Sequence, residues 1–145
     1  MSHRNRRGGF TLMEVLTVSI LLGALAGIAT PQLSRAIHRA GAAKVVADAH
    51  NLTLAVRSFV AAGGILPASS DWAVPPTDLG PYLEETMTFT FRDLEYRLVT
   101  QPEIGVAQLW VGYPAESGLG EALQRFRRPG EVTWTPTRTT FVLVK

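Results

Sequence analysis

The sequence contains no cysteine. This absence excludes a disulfide scaffold, a cysteine nucleophile and every thiolate metal site. Net charge is also small, at +2 over 145 residues, while 46% of the residues are hydrophobic. Such a composition excludes an extensively disordered chain. The length suits one domain of ordinary size, or a smaller domain with an appendage.

The basic residues are unevenly distributed. Three of the fourteen Lys and Arg residues, Arg4, Arg6 and Arg7, lie within the first seven positions. Without them the chain has 11 basic residues against 12 acidic ones. The sequence pI of about 9.4 therefore reflects a basic N-terminal leader rather than a basic binding face.

A long apolar run follows this leader. Between Phe10 and Thr30 the only ionisable side chain is Glu14. A helix of this length spans roughly 31 Å, which is about the thickness of the hydrocarbon core of a bilayer. The preceding arginines predict an orientation with the N-terminus in the cytoplasm.

Two ordinary explanations of this run are a secretory signal peptide and a plain membrane anchor. The segment Ala24-Leu25-Ala26 fits a signal-peptidase site of the A-x-A type. Both explanations leave Glu14 without a role. A carboxylate inside a spanning helix costs about 2.5–3.5 kcal/mol on insertion scales and usually marks a functional position.

A third explanation accounts for the unusual residues. The sequence Gly9-Phe10-Thr11-Leu12-Met13-Glu14 resembles the prepilin peptidase site of type IV pilins and type II secretion pseudopilins. The resemblance implies cleavage between Gly9 and Phe10 and N-methylation of the new Phe10 amine. In that family a Glu falls fifth after the cut and a Pro commonly falls twenty-second, and Glu14 and Pro31 match these positions.

Elementary electrostatics suggests a role for Glu14. A buried carboxylate and a buried ammonium are each costly alone, and their attraction strengthens as the dielectric constant falls. The four-residue spacing permits a contact with Phe10 of the same chain. The resemblance implies instead a contact with the Phe10 amine of a neighbouring subunit. A protonated Glu14 without a partner is the remaining alternative.

Glycine and proline make the end of the apolar run a point where the helix is expected to bend or loosen. Gly23 and Gly27 form a G-x-x-x-G pattern that allows close helix contact, although glycine is also simply frequent in membrane helices. Pro31 follows four residues later and weakens the helix further.

The pattern becomes amphipathic from Gln32 to about Ala62. Apolar residues recur there at spacings of three and four, which is typical of a helix with one buried face: Ala42, Val45, Ala49, Leu52, Val56 and Phe59. The polar residues Arg35, Arg39, Asp48, Asn51 and Arg57 are assigned to the other faces. Gly63-Gly64 is expected to end the helix.

The remaining residues favour a small head. A loop rich in proline covers residues 63–83 and includes a short helical turn at residues 76–83. Strands are predicted at residues 87–91, 94–98, 106–113 and 139–144, with residues 132–135 as a further candidate strand, and a short helix is predicted at 117–128. Three or four antiparallel strands packed on the helix stripe give an α+β, pilin-like fold.

Signs of catalysis are few. His38 and His50 are twelve positions apart, which is not the spacing of a ligand pair. No catalytic residue, metal site or cofactor is therefore predicted. The calcium-binding acidic loop of some pseudopilins does not carry over, because residues 133–145 contain no Asp or Glu. The absence of cysteine also departs from pilins that close a C-terminal loop with a disulfide.

One basic patch suggests a different class of function. Arg125, Arg127 and Arg128 lie near Phe126 and Trp134, and basic residues mixed with aromatic ones can bind single-stranded nucleic acid. The plainer interpretation is a helix end whose cations complement the helix dipole. The alternative function is thus a membrane-anchored binding module, with DNA as its partner.

The sequence as a whole predicts a structural subunit of a type IV pilus or pseudopilus, not an enzyme. Its expected parts are a leader (residues 1–9), a membrane and fibre-core helix (10–31), an amphipathic helical half (32–62) and a head (63–145). Expected partners are other pilin subunits, prepilin peptidase and the inner-membrane assembly platform. The precursor would lie in the inner membrane and the mature chain in a periplasmic or surface fibre.

Overall fold

The computed structural model describes residues 10–125 and 132–145. One long helix, α1 (Leu12–Ala61), begins the described chain. Contacts divide the chain into two units, one ending at Ala36 and the other covering Ile37–Lys145. The boundary therefore falls within α1, and the two units are described separately below.

The second unit contains the head. After α1 come a 3₁₀ turn (Thr77–Tyr82), β1 (Thr90–Phe91), β2 (Leu94–Gln101), a second 3₁₀ turn (Pro102–Ile104), β3 (Val106–Gly112), α2 (Gly118–Gln124), β4 (Val132–Thr135) and β5 (Arg138–Val144). The strands form an antiparallel sheet in the order β1-β2-β3-β5-β4. The prediction of an α+β, pilin-like fold is confirmed.

The core lies between the second half of α1 and one face of the sheet. The predicted helix stripe is buried from Ala42 to Val56, and Phe59 is partly buried against the same cluster. Every second residue of the central strands points to this cluster, because side chains alternate along a strand. In register, Leu98 of β2 faces Leu109 of β3, which faces Phe141 of β5.

The loop that precedes the sheet protects one of its edges. The backbone N–H groups of Ser70 and Ala73 donate to the carbonyl oxygens of Leu98 and Tyr96, both at 2.9 Å. The hydroxyls of Ser69 and Ser70 in turn accept the N–H groups of Thr100 and Leu98. These bonds occupy backbone groups of β2 that would otherwise form an open edge.

Several element boundaries differ from the predicted ones. The first strand is confined to Thr90–Phe91 instead of residues 87–91, because Met87 N–H bonds to the Glu84 carbonyl in a turn. The helix predicted at 117–128 is α2, with Ser117 as its N-cap and Gln124 as its last residue. The helix end at Gly63-Gly64 is confirmed, and Gly63 has a φ of 99°, which favours glycine.

Candidate functional site

The start of α1 is fixed by Thr11. The Thr11 hydroxyl accepts the backbone N–H of Glu14 at 3.2 Å, and the Thr11 carbonyl accepts the N–H groups of Glu14 and Val15. A threonine followed three positions later by glutamate is the sequence pattern of a capping box. Glu14 therefore lies in the first turn, where a negative charge is favourable to the helix dipole.

Two of the predicted processing and assembly residues, Phe10 and Glu14, lie at this helix start. Phe10 immediately precedes the capping residue and is 83% exposed, while Gly9 lies outside the described residues. Within residues 10–125 and 132–145, no hydrogen bond or ion pair reaches the Glu14 carboxylate. The contact that the four-residue spacing permits needs the free Phe10 amine of the cleaved chain, so it stays a prediction, as does the contact with a neighbouring subunit.

The first part of α1 presents apolar side chains to its surroundings on every side. Its large hydrophobic residues from Leu12 to Leu33 are all exposed. An 18-residue window has a mean hydropathy of 2.1, so the helix has the length and composition needed to cross a membrane. Long core helices of soluble proteins pass the same test, but they are mostly buried, whereas this window is not.

The hydroxyl side chains within this segment form hydrogen bonds to the helix itself. The hydroxyls of Thr17, Ser19 and Thr30 each donate to the carbonyl oxygen four residues earlier, at 2.8 Å. Such internal bonds remove the cost of an unpaired hydroxyl in hydrocarbon. The segment is therefore compatible with lipid despite its three hydroxyl side chains.

Pro31 lies inside α1, and the helix continues through it. Proline has no N–H, so the carbonyl of Gly27 loses its usual partner four residues later. An added Cβ at Gly23 or Gly27 would meet no atom within 4 Å. Loosening of the helix at this point stays a prediction.

The basic patch is described only in part. Arg125 caps the C-terminus of α2 and is exposed, whereas Arg127 and Arg128 lie outside the described residues. A close pairing of arginine with an aromatic ring occurs elsewhere, where the Arg138 guanidinium lies 4.0 Å from the centroid of the Trp110 ring. The sequence did not indicate that pair, because it joins neighbouring strands.

The described acidic and histidine side chains of the head do not come together in a group that could hold a metal ion. Among the described residues, no group of three or more His, Asp or Glu side chains is placed to hold a metal ion. A cleft of about 360 Å³ is lined by Trp72, Asp93, Glu95, Gly112, Tyr113 and Pro114. One of its carboxylates, Asp93, already accepts a hydrogen bond from Ser117 Oγ at 2.9 Å.

The prediction for Asp48 is wrong. Asp48 was assigned to a face of the helix away from the apolar stripe, but this residue is only 8% exposed. Lys44 Nζ binds both carboxylate oxygens of Asp48, at 2.9 and 2.8 Å, and Tyr96 OH donates to Oδ2 at 3.0 Å. The signal was present in the spacing, since Asp48 follows Val45 by three positions and precedes Leu52 by four, on the buried face.

The environment of Tyr96 makes its phenol difficult to ionise. Burial, then the negative charge of Asp48 and the hydrogen bond to it, raise the pKa of Tyr96 far above its ordinary value of 10.0. The fold therefore requires the neutral phenol, and its stabilising effect is complete below pH 10. Above that pH the unfolded chain releases the proton while the folded chain keeps it.

We expect the stability of the full chain in mild detergent to fall above pH 10. Above pH 10, the contribution of Tyr96 to the free energy of unfolding should fall by about 1.4 kcal/mol per pH unit. Urea unfolding of the wild type and of Tyr96→Phe at pH 9, 10 and 11 isolates this loss, because the two proteins share all other titrating groups. The advantage of the wild type over the variant should shrink as the pH rises. Parallel pH dependences would show that Tyr96 ionises normally.

Comparison with known proteins identifies the N-terminal segment. The family model described as the prokaryotic N-terminal methylation motif matches residues 4–30, which is the signature of type IV pilins and pseudopilins. Neither the curated proteins nor the solved structures give a match. The motif match covers only the N-terminal segment, and the fold of the chain is α+β and pilin-like. The motif is typical of a family whose members are structural proteins rather than enzymes.

Proposed function

We propose that this chain is a structural subunit of a type IV pilus or of a pseudopilus. The observation that carries the proposal is the combination found at the start of α1. A methylation motif over residues 4–30 leads into an exposed apolar helix with one carboxylate in its first turn. A plain anchor needs the apolar helix but neither the motif nor the carboxylate.

Processing is the first step of the proposed function. Prepilin peptidase removes residues 1–9 by cutting between Gly9 and Phe10, and Phe10 is then N-methylated. The capped helix supports this assignment, because α1 begins at Leu12 and leaves the bond to be cut outside the helix. The basic leader holds the N-terminus on the cytoplasmic side until the cut is made.

Assembly follows from the same segment. The apolar residues of α1 hold the processed chain in the inner membrane and then pack against other subunits in the fibre. Glu14 has no partner among the described residues of its own chain. We assign it to the Phe10 amine of an adjacent subunit, since the two opposite charges compensate each other at low dielectric constant.

The head covers the fibre at its surface. The buried stripe from Ala42 to Val56 packs one face of the helix against the sheet. The apolar side chains of residues 12–33 are exposed and can contact the membrane or other helices. The soluble part begins near Ala36, where the contacts between residues divide the chain.

Cell fractionation tests this function. We expect the mature chain in two places, the inner membrane and the material sheared from the cell surface or released by overproduction of the fibre. Deletion of the prepilin peptidase gene should leave only full-length precursor in the membrane. A chain that stays in the membrane at full length in both strains would identify a plain anchor instead.

A further inference from the structure

One polar contact connects α1 to the sheet. Asp48 Oδ2 accepts the hydroxyl of Tyr96 from β2 at 3.0 Å. Among the described residues this is the only side-chain hydrogen bond between α1 and a strand. Asp48 is 8% exposed and Tyr96 is fully buried. The hydrogen bond between them therefore replaces bonds to water that both groups lose on burial.

The rest of the buried face of α1 makes apolar contacts, which are not directional. Gly41, Val45, Leu52 and Ala55 occupy this face at helical spacing. They oppose movement along the axis only through side-chain size, as at Gly41, where an added Cβ would lie 2.8 Å from Leu119 Cδ1. The stripe therefore contains no contact that depends on direction.

The hydrogen bond, in contrast, tolerates almost no displacement. A hydroxyl donor must lie within about 2.5–3.0 Å of its acceptor, whereas one helical turn moves Asp48 by about 5.4 Å. After that movement the carboxylate would keep Lys44 but lose the Tyr96 hydroxyl, which would stay buried without a partner. A buried polar group without a hydrogen bond is unfavourable.

Lys44 completes the arrangement from the helix side. Its ammonium binds both oxygens of Asp48 and lies 5.2 Å from the ring centroid of Phe91 in β1. The ion pair offsets the charge of the buried carboxylate. It does not by itself set the register, because both of its members belong to α1.

We propose that Asp48 is a positioning residue that fixes the register of α1 on the sheet. Its bond to Tyr96 selects one axial position of the helix and excludes the positions one turn away. Polar groups that specify register at some cost in stability are best known from coiled coils. This property goes beyond the proposed fibre function and is independent of it, because it concerns only residues of the second unit, Ile37–Lys145.

Register can be measured directly by cross-linking, because the chain has no cysteine of its own. A Cβ added at Gly118 would lie 2.6 Å from Cε1 of the His38 ring. The pair His38→Cys with Gly118→Cys therefore reports the observed register. The pairs Ser34→Cys or Ala42→Cys with Gly118→Cys report a slip by one turn in either direction. The full chain in mild detergent is treated with a short bifunctional thiol reagent.

The observed-register pair should dominate when Asp48 is present. In the Asp48→Leu background we expect the ratio of slipped to observed cross-links to rise by about tenfold or more, the equivalent of about 1.4 kcal/mol or more. Asp48→Asn keeps an acceptor for Tyr96 and should restore the wild-type ratio. Val45→Ala is the matched control, since it weakens packing on the same face and keeps the hydrogen bond. It should lower stability and leave the ratio unchanged.

A second variant removes the same bond from the sheet side. Tyr96→Phe leaves the helix sequence intact and should raise the ratio of slipped to observed cross-links as much as Asp48→Leu does. It therefore tests the proposal even if Asp48→Leu does not fold. A wild-type cross-link ratio in Tyr96→Phe would overturn the proposal. A slip in Asp48→Asn as large as in Asp48→Leu would also overturn it, because the acceptor would then be irrelevant.

Discussion

Replacement of Glu14 by valine is expected to lower incorporation of the chain into fibres by about 100-fold or more. The change leaves Gly9-Phe10 intact and makes the apolar segment more apolar, so membrane insertion and cleavage should continue. The Phe10 amine of the adjacent subunit would lose its partner. Removal of one member of a buried ion pair costs about 3–5 kcal/mol, and each 1.4 kcal/mol is tenfold.

The measurement is the ratio of mature protein in sheared fibres to that in the inner membrane, in a strain without the native copy. Thr17→Val is the matched control. It also turns a polar residue of the segment into valine, but the Thr17 hydroxyl is bonded only to Met13 of its own helix. The control should assemble normally. Equal ratios for wild type and Glu14→Val would show that Glu14 does not guide assembly.

Truncation of Leu52 to alanine is expected to destabilise the head by about 2–5 kcal/mol. Leu52 is fully buried in the cluster that joins α1 to the sheet, and the truncation leaves a cavity there. Leu54→Ala is the matched control on the same helix, since Leu54 is 50% exposed. Its effect should stay within about 0.5 kcal/mol.

Urea unfolding of the full chain in mild detergent compares the two variants. Both replace leucine by alanine in the same helix, so helix propensity changes equally in each. The difference between them therefore measures packing against the sheet. Equal effects for Leu52→Ala and Leu54→Ala would mean that the stripe does not hold the head together.

Periodicity predicted the main elements of the fold. The stripe from Ala42 to Val56 is visible because apolar residues on a helix repeat every three or four positions. The alternation of Leu94, Tyr96 and Leu98 likewise indicated a strand with one buried face. Both patterns arise because one face of each element is buried in the core of the head.

The features that escaped prediction depend on partners distant in the sequence. Asp48 lies at the spacing of the buried stripe, but its charge is accommodated there by Lys44 and by Tyr96, 48 positions later. The loop around Ser70 is ordered by backbone groups of β2, which no local pattern reveals. Charged and polar residues in a helix or loop are ordinarily solvated, so the spacing alone did not establish their burial.

The candidate site was predicted from the sequence because its information is local. The residues from Gly9 to Glu14 are contiguous, so the motif can be read without knowledge of any tertiary contact. The basic patch was different, since its role depends on where Arg125, Arg127 and Arg128 lie together. Of these, the structure places only Arg125, exposed at the end of α2.

The mature N-terminus is the most direct test of the account. Mass spectrometry of the chain purified from its native membrane should find a protein that begins at Phe10 and carries one methyl group on the Phe10 amine. Loss of residues 1–9 together with that methyl group is the mark of prepilin processing. A mature chain that begins at Gly27, after Ala24-Leu25-Ala26, would show that signal peptidase removes the segment and would contradict the account.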